Sequence, residues 1–202
     1  MELRTLISAL DTPQVVGVDQ LEIGQIVSDS RRVVPGSLFV AVRGVAVDGH
    51  QYIASAIEKG AVAIVCEEYP KELADKATFV VVKDSAYALG LLLSKSYGDP
   101  SQKLKLVGVT GTNGKTTIAT VLYELFRRLG YKVGLLSTVC NYIDGEAIPT
   151  DHTTPDPITL HALIARMVEA GCTYAFMEVS SHSIDQRRIS GLDFDGGIFT
   201  NL

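Results

Sequence analysis

Cysteine is scarce in this chain and occurs at only three positions, Cys66, Cys140 and Cys172. The three are widely separated and odd in number, so they match no common metal-site spacing. We therefore expect reduced thiols and a protein of a reducing compartment.

Long apolar runs and dense basic runs are also absent. No uninterrupted apolar stretch is long enough to span a bilayer, and the N-terminus lacks the pattern of a signal peptide. Because the formal net charge is −5 and lysine and arginine do not cluster, nucleic acid is not an expected partner. These absences predict a cytoplasmic protein that binds neither nucleic acid nor a membrane.

The composition that is present describes a globular chain with an ample core. Hydrophobic residues make up 47% of the 202 residues and charged residues 20%, which gives room for one large domain or two ordinary ones. Apolar runs at 38–42, 61–65 and 79–82 predict buried strands, and 52–59 and 84–96 predict helices. This alternation predicts an α/β fold. The polar stretch 97–103 contains Gly and Pro, so we place a domain boundary there, giving domains 1–98 and 99–202.

The most informative stretch runs from Leu104 to Thr117. An apolar run stops at a loop with two glycines, which ends in Gly114-Lys115-Thr116 and opens a helical pattern. Backbone N–H groups in such a loop and at the following helix N-terminus form an anion site. Lys115 would reach the terminal phosphates of a nucleotide, and the Thr116 hydroxyl would ligate Mg²⁺. The strict pattern requires a glycine where this chain has Val109, which leaves open an ordinary glycine turn.

A carboxylate closes a later apolar strand. Residues 174–179 read as a buried strand, and Glu178 lies near its end. A buried carboxylate is costly unless it is paired or bound to a metal, and ligands collect at the carboxyl ends of parallel strands. Glu178 is therefore predicted to be a Mg²⁺ ligand or a water-positioning group. The alternative is a buried Glu paired with Arg187 or Arg188.

A group of polar residues also lies early in the chain. Ser28, Ser30 and Arg31 carry hydroxyls and a guanidinium that suit phosphate or sugar oxygens. From the pattern alone, a solvated loop with a local side-chain turn is the favoured alternative.

Taken together, these motifs resemble the Mur ligases. Residues 111–117 are similar to the family's ATP loop, in which a non-glycine residue at the Val109 position is normal. Residues 29–31, 35–41 and 48–50 are similar to its uridine-nucleotide-binding first domain. The stretches 153–155 and 177–182, with Gln186 and Arg188, resemble in particular the ligases that add the third residue of the peptide.

The resemblance implies roles for individual residues. ATP would be bound by Gly111, Thr112, Asn113, Gly114, Lys115, Thr116 and Thr117. Thr116 and Glu178 would hold Mg²⁺, and Lys115 and Glu178 would be catalytic. The uridine nucleotide would contact Ser28, Ser30, Val45, Ala46 and Val47. The muramoyl-peptide would contact Thr153, Thr154, Ser180, Gln186 and Arg188. His152 departs from the family pattern, in which Asn is common.

The resemblance also implies a reaction and a domain order. ATP would phosphorylate the D-Glu carboxylate of UDP-N-acetylmuramoyl-L-alanyl-D-glutamate, and a diamino acid, meso-diaminopimelate or L-lysine, would attack the acyl phosphate. The family pattern continues beyond Leu202 with a carbamoylated lysine and an amino-acid-binding domain. We therefore expect a fragment with an incomplete ATP-binding domain and no turnover by itself.

Three alternatives stay open at this point. One is a ligase of the same family that adds D-alanyl-D-alanine. A second is a self-contained ATPase switch built on the same loop. The third is a module that binds the uridine nucleotide without catalysis.

Overall fold

The computed structural model describes residues 1–44, 47–149 and 155–202. Within these residues the chain forms two compact units, Met1–Ser96 and Tyr97–Leu202. None of the helices in the described ranges combines the length and the apolar character that crossing a membrane requires.

A five-stranded sheet forms the centre of the first unit. Its strands are β1 (Gln14–Val16), β2 (Gln25–Val27), β3 (Ser37–Val40), β4 (Ala61–Cys66) and β5 (Thr78–Val81), and its α-helices are α1 (Leu3–Ile7), α2 (Ile53–Glu58) and α3 (Ser85–Ser96). The strand order is β1-β5-β4-β3-β2, with β2 to β5 parallel and β1 antiparallel to β5. The carboxyl ends of the four parallel strands therefore meet at one edge of the sheet.

The longer predicted elements of this unit are confirmed. The three apolar runs form β3, β4 and β5, and the two helical segments form α2 and α3. The strands β1 and β2 were not predicted, because each has only three residues and shows no period that a sequence pattern can reveal.

A six-stranded sheet forms the centre of the second unit. Its strands are β6 (Lys105–Thr110), β7 (Val133–Leu136), β8 (Asn141–Ile143), β9 (Glu146–Ile148), β10 (Tyr174–Glu178) and β11 (Gly196–Phe199), and its α-helices are α4 (Lys115–Arg128), α5 (Pro157–Glu169) and α6 (Ser181–Asp185). The order is β11-β6-β10-β7-β8-β9, in which the first four strands are parallel and β8 and β9 form an antiparallel hairpin.

Helices cover both faces of this second sheet. On one face, Tyr123 of α4 packs with Leu135 and Phe176. On the other face, Leu160 of α5 packs with Met177 and other strand residues. Because successive side chains of a strand point to opposite faces, neighbouring strand residues contribute to different cores. This arrangement is the three-layer fold expected for a mainly parallel sheet.

Local sequence signals explain where several elements begin and end. Asp144 and Gly145 have φ values of 46° and 94°, so the turn between β8 and β9 is a hairpin turn with two positive φ angles, as an Asp-Gly pair favours. Asp156 accepts hydrogen bonds from the N–H groups of Ile158 and Thr159 and is therefore the N-cap of α5.

Candidate functional site

The glycine-rich loop connects β6 to α4 in the second unit. Gly111 and Gly114 have φ values of 131° and 85°, which are unfavourable for other residues. Gly114 is also the residue that immediately precedes α4, so the unpaired N–H groups of the helix begin at the loop. Val109 is fully buried in the core beneath the loop. The loop therefore has the strand and helix context that a phosphate site requires.

The segment after β11 holds this loop from the side. Thr112 N donates to Asn201 O at 3.2 Å, and Asn113 N donates to Asn201 Oδ1 at 3.1 Å. Asn113 O accepts from Thr200 Oγ1 at 2.6 Å and from Asn201 Nδ2 at 3.1 Å. Neither Thr200 nor Asn201 was predicted to be a site residue from the sequence.

The Lys115 side chain lies back over the loop. Its Nζ donates to Gly111 O at 2.7 Å and to Thr112 O at 3.2 Å. The ammonium group is thus held beside the same backbone turn whose amides are expected to face phosphates. Thr117 is exposed in the first turn of α4.

Glu178 meets the start of α4 at the edge of the sheet. The carboxylate is 1% exposed, and its Oε2 accepts a hydrogen bond from Thr116 Oγ1 at 2.8 Å. Thr138 donates twice, from its backbone N to Oε1 and from Oγ1 to Oε2, each at 2.9 Å. The structure therefore brings together the two residues that were predicted to hold Mg²⁺, and it adds Thr138, which was not predicted.

The donor chemistry at this point fits Mg²⁺. The Thr116 hydroxyl and the Glu178 carboxylate are adjacent oxygen donors, which is the ligand type that this hard cation prefers. Among the described residues, no group of three or more His, Cys, Asp or Glu side chains could hold a metal ion. A cation here would complete its coordination with water and phosphate oxygens, as Mg²⁺ does at nucleotide sites.

Three residues predicted to contact the muramoyl-peptide lie just after β10. Ser180 Oγ accepts from Ser183 N at 3.1 Å and so caps α6. Arg188 donates from Nε and Nη2 to Gln186 Oε1 at 2.9 and 2.6 Å. The structure thus pairs Gln186 with Arg188 near the carboxyl edge of the sheet. Two further predicted contacts, Thr153 and Thr154, lie outside the described residues, as does His152.

In the first unit, two of the residues assigned to the uridine nucleotide, Ser28 and Ser30, lie after β2. Ser28 and Ser30 are half-buried and flank Asp29, whose Oδ1 accepts from Arg31 N at 2.9 Å. The hydrogen bond from the Arg31 guanidinium is the main reason why the pKa of Asp29 is lowered to about 2. Lys59 Nζ donates to Ser30 O at 2.8 Å. The local side-chain turn that was the alternative interpretation is therefore present.

The loop after β3 is fastened at its far end by a histidine. Glu67 N donates to His50 Nε2 at 2.9 Å, so the ring proton lies on Nδ1, which bonds Asp48 Oδ1 at 2.7 Å. Val47 is exposed, and its carbonyl accepts from Gly44 N at 3.0 Å. The remaining predicted contacts of this loop, Val45 and Ala46, lie outside the described residues.

Two family models match the chain. Residues 22–97 match the Mur ligase family, catalytic domain, and residues 109–202 match the Mur ligase middle domain. The chain belongs to the Mur ligase family.

Among curated relatives, the UDP-N-acetylmuramoyl-L-alanyl-D-glutamate–2,6-diaminopimelate ligase of Parabacteroides distasonis is 77% identical over 202 residues. The enzyme of the same name from Clostridium perfringens is 40% identical over 202 residues. Both alignments cover all of this chain, and the chain spans 42% of the length of either relative.

Solved structures share the fold. A structure of a UDP-N-acetylmuramoyl-L-alanyl-D-glutamate–2,6-diaminopimelate ligase aligns with a TM-score of 0.79 and 24% identity, covering 100% of this chain and 41% of that chain. The MurF ligase of Thermotoga maritima, determined in complex with ADP, aligns with a TM-score of 0.50 and 28% identity. The alignment covers 82% of this chain and 34% of the MurF chain.

Proposed function

We propose that this chain supplies the uridine-nucleotide-binding and ATP-binding parts of an ATP-dependent ligase of peptidoglycan precursor synthesis. The ligase would join a diamino acid to UDP-N-acetylmuramoyl-L-alanyl-D-glutamate. The names of the curated relatives favour 2,6-diaminopimelate over L-lysine as that amino acid. In this proposal residues 1–98 bind the uridine nucleotide and residues 99–202 bind ATP.

The observation that carries the proposal is the meeting of Thr116 with Glu178 beside the glycine-rich loop. Their 2.8 Å hydrogen bond keeps a hydroxyl and a carboxylate side by side, which supports a Mg²⁺ site beside a bound nucleotide. The Thermotoga maritima MurF ligase was determined in complex with ADP, which supports nucleotide binding by a ligase of this fold. We therefore assign ATP to residues 111–117, and Mg²⁺ to Thr116 and Glu178.

The reaction needs charge stabilisation more than a protein nucleophile. An oxygen of the D-Glu carboxylate would attack the γ-phosphorus of ATP, giving an acyl phosphate and ADP. The amine of the diamino acid would then attack the acyl carbon, lose a proton and expel phosphate. Lys115, the loop amides and the N-terminus of α4 would offset the negative charge of the transferring phosphoryl group. A bound Mg²⁺ would neutralise further phosphate charge.

Each unit carries residues that we assign to a part of the substrate. Ser28, Ser30 and the loop at Val45, Ala46 and Val47 would hold the uridine nucleotide. Ser180, Gln186 and Arg188, with Thr153 and Thr154, would hold the muramoyl-peptide. The cytoplasmic location inferred from the sequence stays part of this proposal.

Calorimetry on the 202-residue chain tests the proposal. We expect binding of ATP in the presence of Mg²⁺ and, separately, binding of UDP-N-acetylmuramoyl-L-alanyl-D-glutamate. Lys115→Ala should weaken ATP binding by at least about tenfold, since it removes a cation facing the phosphates. The same substitution should leave the affinity for the uridine nucleotide within about twofold.

Lys103→Ala is the matched control, because Lys103 is an exposed lysine of the same unit outside the loop. An ATP affinity that is unchanged in Lys115→Ala would overturn the phosphate-loop assignment. Binding of the uridine nucleotide with no ATP binding would instead favour a module without catalysis.

The second candidate is a ligase that adds D-alanyl-D-alanine. Solved MurF structures align with the chain at TM-scores of 0.59 and 0.62, so the fold alone is compatible with it. The preferred uridine nucleotide discriminates the two candidates. A muramoyl-tripeptide bound more tightly than the muramoyl-dipeptide would favour the second candidate.

A further inference from the structure

The turn between β7 and β8 is fastened by its own side chains. Ser137 Oγ accepts from Val139 N and Cys140 N, each at 3.3 Å, and donates to Cys140 O at 2.9 Å. Asn141 Oδ1 accepts from Ser137 N at 3.1 Å. Ser137 and Asn141 are both 2% exposed. The backbone of the turn is therefore fixed from within and presents Thr138 in one orientation.

Thr138 contacts both oxygens of the buried Glu178 carboxylate. Its backbone N–H reaches Oε1 and its hydroxyl reaches Oε2, each at 2.9 Å. Two donors from one residue fix the plane of the carboxylate as well as its position, and hydrogen bonds to an ionised acceptor are the strong ones. Without such donors, burial of a carboxylate that is 1% exposed would be costly.

The hydroxyl groups of Thr116 and Thr138 converge on the same oxygen, Glu178 Oε2. The contact joins the ends of three strands, since Thr116 follows β6, Thr138 follows β7 and Glu178 ends β10. Any rotation of the carboxylate would break at least one of these bonds. The orientation of the Thr116 hydroxyl is thus coupled to the turn at residues 137–141.

We infer that Thr138 is a positioning residue for the magnesium–nucleotide site, acting through Glu178 on the Thr116 hydroxyl. The inference rests on the proposed function, because it requires that Thr116 and Glu178 hold the cation. On this inference, the turn at residues 137–141 holds the Glu178 carboxylate in the orientation that a cation beside Thr116 needs. A residue that only stabilised the fold would not affect the metal dependence of nucleotide binding.

The test compares ATP affinity with Mg²⁺ and with a chelator, measured by calorimetry on the 202-residue chain. Thr138→Val keeps the shape and the backbone N–H but removes the hydroxyl. We expect it to reduce the gain in ATP affinity that Mg²⁺ provides by about tenfold. ATP affinity in the chelator should change by less than about twofold. Thr138→Ser, which restores the hydroxyl, should return the Mg²⁺ effect to within about twofold of the wild type.

Val139→Ala is the matched control, because Val139 lies in the same turn and its side chain is 76% exposed. Equal losses with and without Mg²⁺ in Thr138→Val would overturn the inference, and so would an unchanged Mg²⁺ effect. If that variant does not fold, as judged by circular dichroism, the comparison of Thr138→Ala with Thr138→Ser gives the same readout. A wild-type chain that binds ATP without any Mg²⁺ effect would overturn the metal assignment itself, which separates the two failures.

Discussion

Thr116 and Glu178 are 62 positions apart in the chain, yet their side chains share a 2.8 Å hydrogen bond. The parallel register of the sheet explains this contact, because Glu178 pairs with Val109, just before the loop that leads to Thr116. Parallel strands bring their carboxyl ends to one edge, so a residue that ends one strand lies beside the loop that follows its neighbour.

Replacing Glu178 by Gln tests the role of its charge. The change keeps the size of the side chain but removes the anion, so we expect Mg²⁺-dependent ATP binding to weaken by at least about tenfold. A titration of Mg²⁺ at fixed ATP measures this effect. Glu169→Gln, an exposed site at the end of α5, should leave the titration unchanged. An unaltered Mg²⁺ dependence in Glu178→Gln would contradict the metal assignment.

Replacing Gly111 by Ala tests the geometry of the loop. A Cβ at this position would clash with Thr200 Oγ1 and lie 2.8 Å from Asn201 O, and the φ of 131° disfavours any side chain. We expect a loss of about 1–3 kcal/mol in the free energy of unfolding of the second unit. Gly196→Ala is the matched control, because a Cβ there would meet nothing within 4 Å. Urea unfolding measures the free energy of unfolding of both variants. Equal values would contradict the predicted clash at Gly111.

Burial of His161 predicts a pH dependence of stability. The side chain is 0% exposed, and burial lowers its pKa to about 4, while Nε2 lies 3.1 Å from Ser190 O. The unfolded state binds a proton on this histidine near pH 6.5 and the folded state does not. The free energy of unfolding therefore has its full value only above that pH. It decreases progressively as the pH falls towards 4, by about 3 kcal/mol in total.

Urea unfolding at pH 7 and pH 5 measures the His161 contribution. His161→Gln keeps an N–H donor but cannot be protonated in this range, so it should flatten the pH dependence. His182→Gln replaces an exposed histidine and should keep the wild-type slope. If His161→Gln retained the full slope, the loss of stability would have to come from other groups.

The three thiols should differ in reactivity. Burial raises the pKa of Cys66 to about 12 and also raises the pKa of Cys172, whereas Cys140 is only half-buried. Because the thiolate is the reactive form, a thiol reagent at pH 8 should label Cys140 well before the other two. Mass spectrometry of the native protein resolves the order, and labelling in urea supplies the control in which all three react. Equal native rates would contradict the burial of Cys66 and Cys172.

Much of this protein was determined by local sequence. The Gly111 to Thr116 loop, the hairpin turn at Asp144-Gly145 and the N-cap at Asp156 each depend on residues within a few positions of one another. Positive φ angles, side-chain caps and the start of a helix are local properties, so they can be predicted from the amino-acid sequence. The apolar runs likewise fixed the longer strands and hence the α/β class.

Only the tertiary structure decided which distant residues join the site. Thr138 and Asn201 carry no local pattern that marks them, and each reaches its partner because strand register brings two loops to the same edge. Register is set by the packing of both faces of the sheet, which involves residues from the whole unit. The sequence by itself thus determined the loop and its glycines. The tertiary structure determined which residues hold that loop and the Glu178 carboxylate in place.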